Sequence, residues 1–502
     1  MQGWHRDRLD VRLTMSMSPT LCEMLTDDLL IRRYRRRLAQ LIELTDALVR
    51  KPPADEVWLR EVNTFYRDRL RRLSDLFERE GQDVVGMFRR LMDVGVLEIA
   101  TCAATHAFLP MFEVTPSFMR AQIKLGAQTH RRHFARHPPG IWLPECGYMP
   151  GLDRLLADEG LLYFVVDAHA VQLAAPAPAF GHLAPVVTPS GVFAFPRHPT
   201  TSRRVWSADI GYPGDFRYRE FYRDAGFDLS EARIEGLRLS NGIRRHTGIK
   251  RHRITGRSVP LDQKEPYDRH DALVACRQHA ANFCDILEYE AVGPGPVPPG
   301  NRVITAPYDA ELFGHWWFEG PDFIDAVARR LAQKASIRMR SLGDVIALGA
   351  DWQVAQPARS SLGRHGQAEV WVNEGNDWVW PRLHRAARRV RYLIQRCRQP
   401  SALSRRALQQ MARSLCLAAA SDWPFMITMG TTVAYAERRL REHLAEVERL
   451  AEQLEANAVL VSDLEVLEAR DTLFPDLDPQ WFLPWRPELA WVASNCVMEG
   501  AD

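Results

Sequence analysis

GIWLP (140–144) and YFVVD (163–167) are near-continuous apolar runs of strand length, and their reading decides the fold. Runs with no polar alternation belong to strands covered on both faces, as in a parallel α/β sheet. Working outward, similar runs stand at VRLTMS (11–16), VLEIA (96–100), VFAFP (192–196) and RVITAP (302–307). Between them lie helical patterns such as 25–49, 54–80, 82–93, 115–136 and 270–290. Strand then helix, repeated, predicts an α/β sheet or barrel over about residues 1–350.

Two stretches interrupt that rhythm. Residues 229–268 are polar, basic and punctuated by Gly and Pro, too long for an ordinary connection and of the kind used as lids or binding loops. This loop arm is expected at the rim of a cleft, with Arg244, Arg245, Lys250 and Arg253 toward solvent or ligand. AVGPGPVPPG (291–300) is a Pro/Gly spacer before the strand run at 302. From about 380 the strand signals stop, and RLHRAARRVRYLI, SRRALQQMARSLCLAA and VAYAERRLREHLAEVERLAEQLEANAVLV carry helical periodicity. The expected division is therefore a catalytic domain at 1–350, with a helical insertion at 25–93, and a mostly α-helical domain at 351–502 that contributes to the cleft.

The 65 bases and 63 acids of the 502 residues leave a formal charge of +2, so nothing attracts nucleic acid or an anionic membrane, and a neutral ligand fits. Eight cysteines (22, 102, 146, 276, 284, 397, 416, 496) form neither a CxxC pair nor a disulfide framework, which points to reduced thiols. No apolar run is long enough to span a bilayer, and MQGWHRDRLDVRL has no signal-peptide core. The cytoplasm is the expected compartment, with a monomer favoured.

Catalytic groups of barrel-like α/β folds gather at the C-terminal ends of strands. There GIWLP runs into Glu145, RVITAPY into Asp309, and YFVVD ends in Asp167 with His169 beyond; VLEIA contains Glu98. Glu145 and Asp309 each follow a Pro closely in an aromatic-rich turn, with Tyr148 beside the first and Tyr308, His315, Trp316 and Trp317 around the second. Paired carboxylates among aromatic rings suit glycosidic chemistry: one stays ionised to attack or stabilise an oxocarbenium-like centre, the other donates a proton to the leaving oxygen. A carboxylate after a strand also serves as a helix cap or loop ion pair, and Asp167 and His169 are open to that reading. Cys146 suggests a thiol nucleophile only weakly, because no His stands in a partnering pattern.

At this point several segments together resemble glycoside hydrolase family 57. GIWLPECGY (140–148) resembles its nucleophile segment and APYDAELFGHWWFEGP (306–321) its acid/base segment. VLEIATCAATHAFLP (96–110) is similar to the earlier Glu-and-His segment, with His106 in the sugar-contacting position. SSLGRHGQAEVWVNEGNDWVWPRLHRA (360–386) and SDWPFMITMGTTVAYAERRLREH (421–443) resemble the last segment and the helical domain of the family's branching-enzyme branch. The resemblance implies an incomplete (β/α)7 barrel, a helical insertion, a helical C-terminal domain and a retaining mechanism with no cofactor and no metal. It implies Glu145 as nucleophile and Asp309 as acid/base, their carboxyls roughly 5–6 Å apart rather than at the wider spacing of inverting enzymes. Substrate contacts would come from His106, Tyr148, Trp316, Trp317, Trp371, Trp380 and Trp423. The implied reaction makes α-1,6 branches from an α-1,4 glucan such as amylose or glycogen; hydrolysis, 4-α-glucanotransfer and glucan binding without catalysis are the alternatives.

Three departures qualify that expectation. Family members begin with a strand bearing His-x-His-x-Pro-Tyr; this sequence has only His5 early on, so a barrel truncated by its first strand is expected. The stretch FPRHPTTSRRV (195–205) has no Tyr where branching members carry one on a mobile loop. Leu362 stands where the family usually has Trp.

Overall fold

The structure, a computed structural model, describes residues 1–52, 58–238, 241–293 and 302–484. Most of the Pro/Gly spacer, from residue 294 on, lies outside the described residues.

Among the described residues six strands form one sheet: β1 (Leu13–Ser16), β2 (Leu97–Cys102), β3 (Gly140–Trp142), β4 (Tyr163–Val166), β5 (Val186–Val187) and β6 (Phe193–Pro196), in the order β1-β2-β3-β4-β6-β5. The pairs β2–β3, β3–β4 and β4–β6 are parallel, and β5 returns antiparallel on β6. Leu13 N–H bonds the Val96 carbonyl and Met17 N–H that of Ala100, the constant offset of a parallel pair. All four residues of β4 are buried, which is why its sequence shows no alternation. The predicted strand RVITAP forms no ladder. A single parallel bridge joins Thr305 to Arg197, and His198 N–H reaches the Thr305 carbonyl at 2.8 Å. Pro196 and Pro307, which have no N–H, bracket the pairing on either side.

The chain folds into two compact units, each drawn from three stretches: Met1–Leu13, Met24–Glu98 and Arg197–Ser341 in one, Thr14–Glu23, Ile99–Pro196 and Leu342–Asp502 in the other. In the first unit the helix Asp28–Arg50 pairs with Arg60–Arg79, and Arg269–Val292 with Gly320–Leu331. Asp27 and Asp268 cap two of these helices by accepting backbone N–H groups of the first turn. The core joins Tyr66, Tyr218, Phe283, Trp317 and Phe323. The basic segment after residue 229 is fastened to this unit by the buried Asp224 carboxylate, which accepts from the N–H groups of Gly226, Thr247 and Gly248 and from the Thr247 hydroxyl.

The cations of this segment also bond within the unit, and Arg245 stays exposed. Lys250 is 5% exposed, bonds the Phe221 carbonyl and sits over the Phe221 ring; burial lowers its ammonium to about 8. Arg244 donates to the carbonyls of Gly226, Phe227 and Leu229, Arg245 to that of Leu237, and Arg253 pairs with Glu265. These side chains satisfy backbone and carboxylate acceptors within the unit.

In the second unit the helix Pro116–Phe134 lies against β2. A Cβ on Gly126 would stand 2.2 Å from the Cys102 carbonyl oxygen, so only glycine permits this approach. The helices Val379–Arg396, Ala402–Ala418, Val433–Glu455 and Val461–Arg470 bury Val390 and Leu393, Met411 and Leu415, Leu440 and Val447, and Leu464 and Leu467, a stripe at helical spacing on each. No helix among the described residues is long and apolar enough to cross a membrane.

Candidate active site

Directly after β3 the chain turns through Pro144–Cys146 with two successive non-glycine residues in the left-handed region, Glu145 at φ 59° and Cys146 at φ 49°. Each costs on the order of 1 kcal/mol or more and persists only where the surroundings over-determine it. Here they do. The Cys146 and Gly147 N–H groups bond the Leu143 and Pro144 carbonyls, both at 2.9 Å, and Leu362 N–H bonds the Glu145 carbonyl at 2.7 Å. Tyr148 and Ser360 exchange both backbone bonds, at 2.9 and 3.0 Å.

The segment after β2 is fixed in the same way. Thr105 N–H bonds Gln122 Oε1 at 3.0 Å and its hydroxyl the Cys416 carbonyl at 2.5 Å. His106 follows at φ 56°, its carbonyl taking Ser421 N–H at 3.0 Å. These constraints bring three side chains together: Ser421 Oγ donates to Glu145 Oε1 at 3.0 Å and lies 2.9 Å from His106 Nδ1, which is 3.7 Å from Glu145 Oε1. The Glu145 and His106 side chains keep 21% and 30% exposure, so both remain reachable. Burial first, then the charges of Glu145 and Asp422, push the neighbouring Cys102 thiol up and keep it protonated. Cys146 is fully buried, so its thiol is not available to a substrate.

At the end of β4, Asp167 Oδ1 lies 3.4 Å from His169 Nδ1, and His169 Nε2 lies 3.2 Å from the Gly366 carbonyl. Both ring nitrogens face acceptors, which favours the imidazolium; the Asp167 hydrogen bond raises this ring above the usual histidine range against partial burial.

Asp309 belongs to the first unit. Its carbonyl takes Leu312 N–H at 3.1 Å as it opens the short turn Ala310–Leu312, and it is exposed. The preceding Tyr308 is anchored by its hydroxyl to the Thr201 carbonyl at 3.1 Å, and burial pushes that hydroxyl up. Trp316 is 44% exposed, stacked on Phe221 at 4.0 Å and bonded through Nε1 to Glu311.

The remaining aromatic candidates are packing residues by position. Tyr148 is fully buried, stacked on Phe164 and bonded through its hydroxyl to Asp153 at 2.9 Å. Trp317 lies in the core of the first unit against Tyr218 and Phe323. Trp371 stacks on Phe108, and Trp380 bonds the Trp371 carbonyl. All four rings are buried in this structure. Trp423 is partly buried and tied to the Leu417 carbonyl.

Among the described residues one group of buried donors has metal-ligand character: His443, Glu446 and Asp471, whose ligand atoms lie within 4.8 Å of one another. Arg470 bonds both Glu446 and Asp471, and Arg439 approaches His443 Nε2 at 3.0 Å. Guanidinium groups already supply the positive charge a cation would bring, so this is an ion-pair network of the helical region.

The sequence profile of glycosyl hydrolase family 57 matches residues 11–357, and the profile described as 1,4-alpha-glucan branching enzyme, C-terminal, matches residues 382–482. The chain belongs to glycosyl hydrolase family 57. Among its relatives, a 1,4-alpha-glucan branching enzyme of Thermococcus kodakarensis is 31% identical over 494 residues, covering 92% of this chain and 69% of the relative. The crystal structure of an alpha-amylase from Thermotoga maritima superposes with a TM-score of 0.88 at 39% identity, covering 95% of this chain and 91% of that one. The family 57 branching enzyme of Pyrococcus horikoshii gives a TM-score of 0.84 at 26% identity, with 97% and 89% covered.

Ser421, which bonds Glu145, is a residue that the sequence did not single out. It stands 276 residues from Glu145, and a Ser before Asp-Trp-Pro reads as an ordinary helix cap. The one available signal was its place at the head of a segment already resembling the family's helical domain.

Proposed function

We propose that this family 57 enzyme is a retaining α-glucan transferase that cleaves an α-1,4 chain and rejoins it as an α-1,6 branch. Glu145 attacks the anomeric carbon and holds the donor chain as a covalent glycosyl ester; Asp309 protonates the departing oxygen. Asp309 then takes the proton from an acceptor 6-hydroxyl as that oxygen displaces Glu145. The observation that carries the reading is the seating of Glu145 on a strained, hydrogen-bonded turn at a strand end, with Ser421 and His106 against its carboxylate. The branching-enzyme likeness of residues 382–482 and the named activity of the Thermococcus relative support transfer over hydrolysis. The reading extends to a monomer acting in the cytoplasm, supported by the absence of any disulfide among the described residues.

A second reading, hydrolysis, is favoured by the likeness to the Thermotoga alpha-amylase and by the absence of Tyr from 195–205. A loop that fails to shield the glycosyl ester admits water as acceptor. Incubation with amylose separates the two. Branching produces α-1,6 linkages, read by proton NMR and by debranching, with little gain in reducing ends. Hydrolysis produces reducing ends without new α-1,6 signals, and that result would reject the transferase.

A further inference from the structure

Ser421 flanks the N-terminus of the helix Asp422–Met429, yet its side chain makes no capping hydrogen bond. A serine there ordinarily turns its hydroxyl back onto a free N–H of the first turn. Here the hydroxyl, on a residue 1% exposed, is directed at Glu145 Oε1 and His106 Nδ1. The direction of both bonds follows from counting protons. A hydroxyl has one to donate, and an ionised carboxylate can only accept. Ser421 therefore gives its proton to Glu145, and His106 Nδ1 must carry one and donate it to Ser421 Oγ. The reverse arrangement would leave two oxygens 3.0 Å apart with no proton between them.

We propose that Ser421 is a positioning residue for the glycosidic reaction, passing a directed chain from His106 Nδ1–H to Ser421 Oγ and from Ser421 O–H to Glu145 Oε1. The proposal rests on Glu145 being the nucleophile. The chain fixes the rotation of the carboxylate, favours its ionised form and requires a proton on His106 Nδ1. With Oε1 engaged, Oε2 is the attacking oxygen. As Oε2 bonds the anomeric carbon, the glycosidic C–O bond breaks and Asp309 gives its proton to the departing oxygen. Oε1 becomes the ester carbonyl oxygen and keeps the Ser421 bond. No proton moves along the chain, and the second step reverses these changes with the acceptor hydroxyl in place of the leaving group.

The test is the pH profile of kcat/KM on amylose for Ser421→Ala and Ser421→Thr, with Glu145→Gln as reference. Losing a hydrogen bond to a charged group lowers kcat by about ten- to a hundredfold. The acidic limb moves up by about one pH unit, because the carboxylate form has lost a donor. KM stays within about twofold, and Ser421→Thr, which keeps the hydroxyl, returns the limb to its native position. Ser421→Cys, which keeps the volume and donates weakly, moves the limb as Ser421→Ala does, so poor folding of one variant does not decide the matter. His106→Ala costs less in the Ser421→Ala background than in the native one. An unmoved acidic limb in folded Ser421→Ala and Ser421→Cys, with additive His106→Ala effects, overturns the proposal and leaves Glu145 as nucleophile. Full turnover by Glu145→Gln overturns the nucleophile assignment itself, and the proposal with it.

Discussion

Ser421 Oγ lies 3.0 Å from Glu145 Oε1 although 276 residues separate them in sequence. The geometry depends on left-handed backbone at Glu145, Cys146 and His106, and each of these residues is tied by main-chain bonds to its own unit. Strain of this kind, held by hydrogen bonds to a neighbouring segment, pre-organises a carboxylate so that no reorganisation is needed when the reaction begins.

Replacing Glu145 with Gln removes the attacking oxygen and keeps the shape. Transfer and hydrolysis should both fall by at least about a thousandfold, the scale seen when a covalent nucleophile is removed. Glucan affinity, measured by retardation in amylose-containing gels, should stay within a few-fold. Retained turnover would exclude Glu145 from the chemistry.

Gly366 has φ 68°, and a Cβ there would stand 2.4 Å from His169 Cε1. Gly366→Ala should destabilise the fold by about 1–3 kcal/mol, from backbone strain and displacement of the imidazole. For a protein of this size that lowers Tm by a few degrees. A Tm equal to the native value would show that the segment relaxes without resistance.

His130 is 2% exposed, neither ring nitrogen has a hydrogen-bond partner, and burial lowers the ring to about 3. An unfolded histidine titrates near 6.5, so between these limits the unfolded state binds the extra proton. The contribution is whole above about pH 6.5 and is lost as pH falls toward 3. At pH 5 unfolding should be easier by about 2 kcal/mol than at pH 7 from this group alone. His130→Leu should remove that share of the acid slope in urea unfolding; an unchanged slope would contradict the assignment.

Glu319 titrates in the opposite sense. It is fully buried, Oε1 accepts from the Tyr267 hydroxyl at 2.6 Å and Arg219 N–H at 3.2 Å, Oε2 has no partner, and burial raises its carboxyl. A raised folded value means its contribution is present below the unfolded carboxylate range and is lost as pH rises through the folded value. Glu319→Gln should therefore flatten the decline of stability above that range, read from unfolding midpoints at pH 5 and 8. A variant that declines in parallel with the native protein would show that Glu319 is not the group responsible.

The sheet was legible because β2, β3, β4 and β6 are mostly buried and so are written as largely apolar runs, with Glu98 the one charged residue among them. Helices were legible from apolar spacing, whereas the aspartates that cap them, such as Asp27 and Asp268, were not singled out. RVITAP misled because apolar content reports burial rather than pairing, and the flanking prolines limit its contact to the one bridge at Thr305. Glu145 and Asp309 were marked because an acid closing an apolar run is a local feature of the sequence, although only Glu145 follows a strand. The burial of Trp317, Trp371 and Trp380 could not be read there, because composition does not say which aromatic ring faces a cleft and which closes the core. Ser421 was hidden for a related reason: its partners are set by the Ala107–Ala420 bridge and the bonds around it, and long-range pairing leaves no periodic trace.

The most direct test of the central claim is to trap the glycosyl-enzyme with an activated fluorinated glucosyl donor, digest the protein and map the labelled peptide by mass spectrometry. A retaining mechanism with Glu145 as nucleophile predicts one sugar equivalent, carried by the peptide containing PECGY and absent from Glu145→Gln. Label on any other residue of an active preparation, or turnover with inversion at the anomeric carbon and no trapped species, would contradict it.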